Sequence, residues 1–291
     1  MTLSELFIAP FAEFAFMRRA LVAGIALAIG GGPLGVMLQL RRMSLVGDAM
    51  SHAVLPGAAI GFVVAGLSLP IMGAGGFIAG LIVAALSGLV SRFTALREDA
   101  SFAAFYLISL ALGVLIISLH GGGNVDVMHV LFGSVLAVDD TALVLVVGIT
   151  SLTIVVLAVI LRPLVLDCVD PDFLRTVSGR GGLYHQVFLL LVVGNLVAAF
   201  LALGTLMAVG LMMLPAAAAR FWARGLAGTA VLASVIGIVS SVAGLILSYH
   251  LDLASGPAIV LVAGVVYAVS LTVGRFGSLR ANLLPPRHRA A

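Results

Sequence analysis

Apolar runs of about the length needed to cross a lipid bilayer recur along the whole chain. A transmembrane α-helix needs about 20 predominantly apolar residues, and hydropathy combined with glycine, proline and charge breaks predicts a series of such spans. In chain order they are 16–40, 44–67, 70–91, 100–119, 141–161, 187–204, a shorter 205–221, 227–248 and 257–274. Only 9% of the residues are charged, against about 25% in soluble domains. The sequence therefore predicts an all-α polytopic membrane protein with about eight or nine transmembrane helices.

The predicted spans fill the sequence, so we expect one transmembrane domain over residues 1–291. Residues 1–19 form a candidate interfacial helix before the first span. The segment 120–138 is apolar but short and rich in glycine, which indicates a re-entrant or surface-lying segment. Residues 162–184 are predicted as a cytoplasmic loop, and residues 275–291 as a cytoplasmic tail.

The arginines orient the predicted spans. The chain contains no lysine, so all fifteen basic residues are arginines. Thirteen of them fall on one predicted side, which the positive-inside bias makes the cytoplasmic side. Arg18 and Arg19 fall on the other side, at the start of the first span. An alternative for these two is an interfacial helix over residues 4–19 whose arginines reach the headgroups.

The absence of lysine also excludes a P-loop ATPase activity from this sequence. A P-loop needs its lysine to hold the nucleotide phosphates, and the pattern GxxxxGK[ST] is absent. If the protein uses ATP, another chain must be the ATPase. The single cysteine, Cys168, excludes an intramolecular disulfide and a CxxC redox or zinc motif.

Glycine and proline interrupt three of the predicted spans. The interruptions are GGGPLG (30–35), VLPGAAIG (54–61) and GLMMLPAAAA (210–219). Proline cannot donate a backbone hydrogen bond, and glycine permits close helix contacts or unwinding. Unwound backbone is tolerated at membrane depth only where protein or a water-filled cavity satisfies it. The pattern therefore predicts broken helices beside a translocation path.

Asp48 is the single acidic residue within the predicted spans, and His52 follows it at i+4 on the same helix face. Counting from Arg42 places the two residues about 9 Å and about 15 Å into the bilayer. An ionised Asp at the centre of a membrane helix costs about 2.5–3.5 kcal/mol. Two structural interpretations stay open: Asp48 caps the helix, or it pairs with His52 by a hydrogen bond. The functional interpretation is a site for Zn²⁺ or Mn²⁺, since carboxylate and imidazole together suit transition metals.

Four stretches resemble one known family, in the same order as that family has them. The run RRMSLVGDAMSHAVLPGAAIGF (41–62) resembles the signature of the permease subunits of ABC importers for zinc, manganese and iron. Residues 124–138, 206–221 and 252–264 resemble the later blocks of the same family. The resemblance covers essentially residues 14–275.

The resemblance implies a homodimeric permease in the bacterial inner membrane. It implies two ATPase subunits as partners, and a soluble metal-binding protein that delivers the ion to the outer face. The implied fold is similar to that of the permeases for vitamin B12 and siderophores. Asp48 and His52 match the family's metal or gate residues, and no permanent cofactor is expected.

The same resemblance places the coupling helix, which docks onto the ATPase, in residues 166–182. This segment is also the longest polar stretch of the chain, and Pro171 and Gly179 are suited to begin and end a helix. The alternative is an ordinary solvated loop. The residues predicted to couple to the ATPase are Asp170, Pro171, Asp172, Phe173, Arg175 and Gly179.

A second polar group lies at the predicted outer ends of the spans. We expect these residues to form an outer mouth that guides metal from the binding protein, or to be polar residues at a wet interface. They are His120, Asp126, His129, His250 and Asp252.

The sequence thus predicts a transport subunit without catalytic chemistry, moving Zn²⁺ or Mn²⁺ by alternating access, with a slight preference for zinc. That preference depends on the three histidines of the predicted outer mouth. The first alternative is a permease for a metal chelate such as a siderophore or cobalamin. A membrane metalloenzyme is a further alternative, but HExxH is absent. A secondary transporter would need no ATPase.

Overall fold

The computed structural model describes residues 9–66, 68–96, 98–119, 138–170, 173–174, 176 and 181–283. The helices of this part are α1 (Ala9–Glu13), α2 (Ala15–Leu40), α3 (Val46–Ala53), α4 (Leu55–Ala65), α5 (Leu69–Phe93), α6 (Glu98–Leu119), α7 (Asp140–Val169), α8 (Gly181–Leu203), α9 (Thr205–Ala219), α10 (Leu226–Leu251), α11 (Ser255–Val273) and α12 (Leu279–Leu283).

Eight helical segments are long and apolar enough to cross a membrane, if α3 and α4 are counted together as one. The shorter helix α9 is also apolar and lies among them. All regular secondary structure in the described ranges is helical. The predicted all-α membrane fold is therefore confirmed.

The first span begins after a break in the chain. Phe14 has an extended backbone and separates α1 from α2, so the described part of residues 4–19 is not one continuous interfacial helix. Arg18, in the first turn of α2, donates hydrogen bonds to the carbonyls of Phe11 and Ala12 at 3.2 and 3.0 Å. Arg19 donates to the Val138 carbonyl at 3.3 Å. Both arginines therefore tie α2 to neighbouring chain at its predicted outer end.

Two of the three predicted helix breaks are wrong. Helix α2 continues through Pro33, and α9 continues through Pro215. The glycines of the first motif serve close packing instead: a Cβ atom at Gly35 would lie 2.0 Å from the carbonyl oxygen of Met212 on α9. A Cβ at Gly32 would lie 2.8 Å from the backbone nitrogen of Ser234 on α10. The glycines of this motif let two neighbouring helices approach the backbone of α2.

The third predicted break is present. Val54 lies between α3 and α4, and Pro56 occupies the first turn of α4. Proline provides no N–H for the carbonyl four residues earlier, so a regular helix loses one hydrogen bond here. The second span is therefore divided into two short helices, and the divided span carries Asp48 and His52 on its first half.

The predicted cytoplasmic loop 162–184 is helical over much of its length. Helix α7 extends to Val169 and passes through Pro163, and α8 begins at Gly181. A helix of 30 residues is about 45 Å long, whereas the hydrocarbon core is about 30 Å thick. The end of α7 therefore extends beyond the membrane after Arg162, which the hydropathy of the span alone did not indicate.

Helices α2 and α8 form the interior of the bundle, and their side chains are largely buried. A polar group connects them to α7 within the apolar interior. Asn195 of α8 donates hydrogen bonds to the Thr153 hydroxyl at 2.5 Å and to the Leu191 carbonyl at 3.0 Å. Thr150 of α7 donates to the Ala26 carbonyl of α2 at 3.3 Å. These bonds satisfy polar groups that lipid could not.

The contact between α4 and α5 gives a test of this packing. A Cβ atom at Gly75 would lie 2.2 Å from the Gly57 carbonyl oxygen, whereas a Cβ at Gly88, on the same helix, would meet no atom within 4 Å. We expect Gly75→Ala to destabilise the fold by about 1–3 kcal/mol through overpacking. Gly88→Ala should be neutral or slightly stabilising because alanine favours the helix. Thermal unfolding in detergent measures both variants, and equal melting temperatures would contradict the close approach.

Candidate functional site

Helix α3 places Asp48 in its first turn and His52 in its last turn, on the same face. The distance from His52 Nε2 to Asp48 Oδ1 is 3.9 Å. That distance is too long for a direct hydrogen bond. Two metal–ligand bonds of about 2.1 Å place tetrahedral ligand atoms about 3.4 Å apart. A side-chain movement of about 0.5 Å would therefore let the pair ligate one cation between them.

Neither structural interpretation of the pair matches this geometry. The cap of α3 is Leu45, and no side chain caps the helix end. The backbone carbonyl of Asp48, and not its side chain, accepts a hydrogen bond from the Ser51 hydroxyl at 2.7 Å. The Nδ1 atom of His52 is buried and has no hydrogen-bond partner among the described residues. The Asp48 carboxylate and the His52 Nε2 therefore face each other at ion-pair distance without a hydrogen bond between them.

The pair lies on a face that this chain leaves open. The side chain of Asp48 is 62% exposed and that of His52 is 36% exposed. Within the described ranges, no three His, Cys, Asp or Glu side chains come together. One chain therefore supplies two ligands at this position, fewer than the four of a closed zinc site.

Tyr106 of α6 adds an aromatic contact that the sequence did not indicate. Its ring stacks on the imidazole of His52, with the ring centroids 6.0 Å apart and the planes inclined by 29°. Tyr106 lies in an apolar span with other aromatic residues, and such residues are ordinarily packing. Its ring lies beside one face of the imidazole, and we expect this contact to limit how the imidazole can turn.

Helix α6 also satisfies the backbone where the second span is broken. The Ser109 hydroxyl donates a hydrogen bond to the Ala53 carbonyl at 2.9 Å. A Cβ atom at Gly113 would lie 3.1 Å from the Pro56 nitrogen, so the glycine lets α6 approach the break closely. The interruption beside the candidate metal site is therefore packed against protein, and the Val54 backbone keeps helical dihedral angles, with φ −72° and ψ −25°.

Helix α9 covers the start of α3. A Cβ atom at Gly47 would lie 2.6 Å from the Met213 Cε and 2.9 Å from the Met212 Cε. Gln39, at the end of α2, donates a hydrogen bond to the Met213 carbonyl at 3.2 Å. The site-bearing helix therefore rests on flexible thioether side chains, which adapt more easily than branched residues when a neighbour moves.

The predicted outer mouth is described only in part, because His120, Asp126 and His129 lie outside the described residues. Asp252 ends α10 in the left-handed conformation with φ 51°. His250 lies two residues earlier, in the last turn of α10. The two residues form no three-residue ligand group with others in the described ranges. Asp252 thus has a helix-ending role, whether or not it also contacts metal.

The predicted coupling segment is likewise described in part, since Pro171, Asp172, Arg175 and Gly179 lie outside the described residues. Asp170 ends α7, and its Oδ1 accepts a hydrogen bond from the Phe173 backbone N–H at 2.9 Å. Leu174 is buried, whereas Phe173 is 51% exposed. A short turn with one anchored and one exposed apolar side chain is suited to docking.

The sequence did not indicate a buried charge cluster at the predicted cytoplasmic ends of α2, α7 and α8. Arg41 donates a hydrogen bond to Asp167 Oδ2 at 2.6 Å and another to His185 Nδ1. The Arg41 guanidinium also lies 5.3 Å from the ring centroid of Phe188. Removing one partner of a buried ion pair costs about 3–5 kcal/mol. More than 100 residues separate Arg41 from Asp167, so no local spacing reveals the contact.

Comparison with known sequences agrees with this architecture. The family model described as the ABC 3 transport family matches residues 13–274. The manganese import system permease protein ScaB of Streptococcus parasanguinis is 33% identical over 267 residues, covering 92% of this chain and 94% of the relative. The manganese transport system membrane protein MntC of Halalkalibacterium halodurans is 34% identical over 258 residues, covering 89% and 87%. The chelated iron transport system membrane protein YfeD of Yersinia pestis is 28% identical over 281 residues, covering 97% and 93%.

A solved structure has the same fold. PsaBC from Streptococcus pneumoniae, in complex with a Fab, superposes with a TM-score of 0.82 at 29% sequence identity. The superposition covers 95% of this chain and 98% of the solved chain. The likeness therefore extends over nearly the whole chain.

The stacking of Tyr106 on His52 generates a prediction about metal affinity. We expect Tyr106→Ala to weaken metal binding by about 10-fold or more, as the loss of partners that orient a ligand does. Tyr106→Phe keeps the ring and should bind as the wild type does. Isothermal titration of Mn²⁺ and Zn²⁺ into the purified protein measures both variants. Equal affinity in all three proteins would contradict a positioning role for the ring.

Proposed function

The chain belongs to the ABC 3 transport family, and from this premise we propose that it moves Mn²⁺ inward across the bacterial inner membrane as the permease subunit of an ATP-driven importer. It is a multi-pass membrane protein of the kind that forms the permease of a metal ABC importer. The observation that carries the proposal is the pair of Asp48 and His52, 3.9 Å apart in a broken span.

Manganese is the cargo that the relatives support. Two of the relatives above carry manganese in their names, and one carboxylate with one imidazole suits Mn²⁺ as well as Zn²⁺. The preference for zinc in the sequence analysis depended on three histidines. Two of them lie outside the described residues, and His250 lies in the last turn of α10. Zn²⁺ is therefore the second candidate, and the name of YfeD makes chelated iron a third.

A second copy of the chain would complete the site. Asp48 and His52 lie exposed on one face of α3, and a transition-metal ion prefers at least four ligands. A two-fold axis beside α3 would bring a second Asp and His to the same ion, because an isologous contact repeats each residue. The ion would then be held between two chains that can separate, which makes its release possible.

We assign the energy source for transport to a partner chain. The sequence has no P-loop, so we assign ATP hydrolysis to ABC ATPase subunits that bind the segment between α7 and α8. The exposed side chain of Phe173 and the turn at Asp170 support that docking surface. On the outer face, a soluble metal-binding protein would deliver the ion near His250 and Asp252, the described members of the predicted mouth.

The chain's own residues bind and release the ion in alternating access. The Asp48 carboxylate provides the negative charge that offsets the dehydration of the cation, and the His52 Nε2 provides a softer ligand. The break at Val54 and the adaptable methionines of α9 allow α3 to move as a short unit. Movement of α3 would change which side of the membrane the two ligands face.

Uptake by site variants tests the proposal directly. We expect Asp48→Asn and His52→Gln each to lower Mn²⁺ uptake by more than the about 10–100-fold that outer ligand-orienting residues cause. Asp140→Asn is the matched control, because that carboxylate lies at the start of α7, is 86% exposed and pairs with Arg19 at 3.4 Å, not with His52. Proteoliposomes containing the complete importer, with isotopically labelled Mn²⁺, Zn²⁺ or chelated Fe³⁺ presented in parallel, measure transport.

The result separates the three cargoes. Saturable uptake of Mn²⁺ in preference to Zn²⁺ and chelate supports manganese. Preferential transport of Zn²⁺ would change the assigned ion but keep the site. Undiminished uptake by the variant that carries both substitutions would remove Asp48 and His52 from the path.

The docking surface has a separate test. We expect Phe173→Asp to abolish copurification of a co-expressed ABC ATPase subunit from the same organism, because the charge replaces an exposed apolar contact. Leu279→Asp, at a side chain that is also 51% exposed, should leave copurification unchanged. Loss of the ATPase with both variants, or with neither, would argue against docking through this segment.

A further inference from the structure

A buried charge cluster joins three segments that are far apart in the sequence. Arg41 follows the last residue of α2, Asp167 lies near the end of α7, and His185 lies in the second turn of α8. The Arg41 guanidinium donates hydrogen bonds to both partners. The two side chains of the ion pair are 9% and 14% exposed, so they are shielded from the screening that weakens surface pairs.

One side of the cluster leads directly to the metal-binding helix. Only residues 42–45 separate Arg41 from the start of α3. This link is a compact turn in which the Met43 N–H bonds to the Leu38 carbonyl at 2.9 Å, and the Val46 N–H bonds to the Met43 carbonyl at 3.1 Å. Because these hydrogen bonds hold the turn in one conformation, we expect a shift of Arg41 to move α3 as well.

The two partners of Arg41, Asp167 and His185, lie before and after the segment proposed to dock onto the ATPase. Asp167 lies three residues before Asp170, and His185 lies on the helix that follows the segment. A displacement of the docked segment therefore pulls on both partners of Arg41. Through these two partners, the guanidinium connects the helices that flank the segment to the turn before α3.

We propose that Arg41, held by Asp167 and His185, is the positioning residue that transmits movement of the ATPase-docking segment to Asp48 and His52. This role rests on the proposed function. Its physical basis is that charged hydrogen bonds are directional and break at a definite displacement, whereas apolar packing of equal area slides. In this proposal the cytoplasmic end of α3 has two positions, one with these bonds made, as observed, and one with them broken.

The competing explanation is that the Arg41 cluster only stabilises the fold, and it makes different predictions. A contact that only stabilises the fold lowers the yield and the melting temperature when it is lost. A transmitting contact contributes to the link between two events, so its loss lets ATP hydrolysis continue without metal movement. The ratio of metal transported to ATP hydrolysed therefore distinguishes the two roles.

The experiment uses the assembled importer in proteoliposomes with Mn²⁺. We expect Arg41→Gln and Asp167→Asn to keep copurification of the ATPase and ATP hydrolysis, and to lower the metal transported per ATP by about 2–30-fold, the range that coupling residues cause. Arg42→Gln is the matched control, because Arg42 is the adjacent arginine and its side chain is exposed. The exchanged pair Arg41→Asp with Asp167→Arg should recover part of the lost coupling.

Three results would overturn the proposal. They are an unchanged ratio of metal to ATP in the variants, an equal loss in Arg42→Gln, and a loss of yield and melting temperature with a normal ratio in the protein that survives. The first result would mean that Arg41 has no role in coupling, and the third that it only stabilises the fold.

A readout that does not depend on cargo separates this inference from the proposed function. Hydrogen exchange of the α3 amides, measured with and without nucleotide on the ATPase, reports movement of the helix. If the wild type transports no metal but its α3 amides respond to nucleotide, and Arg41→Gln abolishes that response, the transmitting role holds and the cargo is wrong. If the Arg41→Gln amides respond as the wild type does, the transmitting role is wrong.

Discussion

The bilayer interior has no water to hydrogen-bond backbone or side-chain polar groups, and the rest of this structure depends on that constraint. It explains why the chain is helical and why the Asn195 side chain donates to the Thr153 hydroxyl within the bundle. It also limits where a helix can be broken. The second span is interrupted at Val54 because Pro56 provides no N–H for the His52 carbonyl, and Ser109 of α6 donates to the neighbouring Ala53 carbonyl. The interruption and the candidate metal ligands therefore lie on the same span.

The spans could be predicted from the sequence because hydropathy is a local property. The glycine and proline motifs were harder to interpret, since only one of the three predicted helix breaks is present. GGGPLG and VLPGAAIG contain the same residue types, yet α2 continues through the first motif and the second span breaks within the other. The difference lies in distant neighbours. At Gly35 the backbone of Met212 approaches α2 and needs a glycine there, so the motif is a packing surface. A single sequence does not show which helix will face which glycine.

The same division applies to the site. Asp48 and His52 were predictable because their spacing of four residues places both on one helix face whatever the tertiary fold is. Tyr106 and the cluster around Arg41 were not, because each depends on contacts between helices that are separated by more than 50 residues. The extension of α7 past Arg162 was missed for a related reason. Hydropathy detects the part of a helix inside the membrane, whereas this helix continues beyond it and carries Asp167 to Arg41.

Two ligands on an open face are a better basis for transport than a closed cage. A site with four ligands from one rigid chain holds zinc too tightly to release it, as structural zinc sites do. Half a site has the opposite property: a lone carboxylate in the membrane is unfavourable without a cation, so the ion is attracted, yet one chain alone cannot retain it. In the proposed mechanism, retention depends on where α3 stands relative to a second set of ligands. The interruption at Val54 and the turn that follows Arg41 lie at the two ends of α3, so in this mechanism binding and release follow from the movement of one short helix.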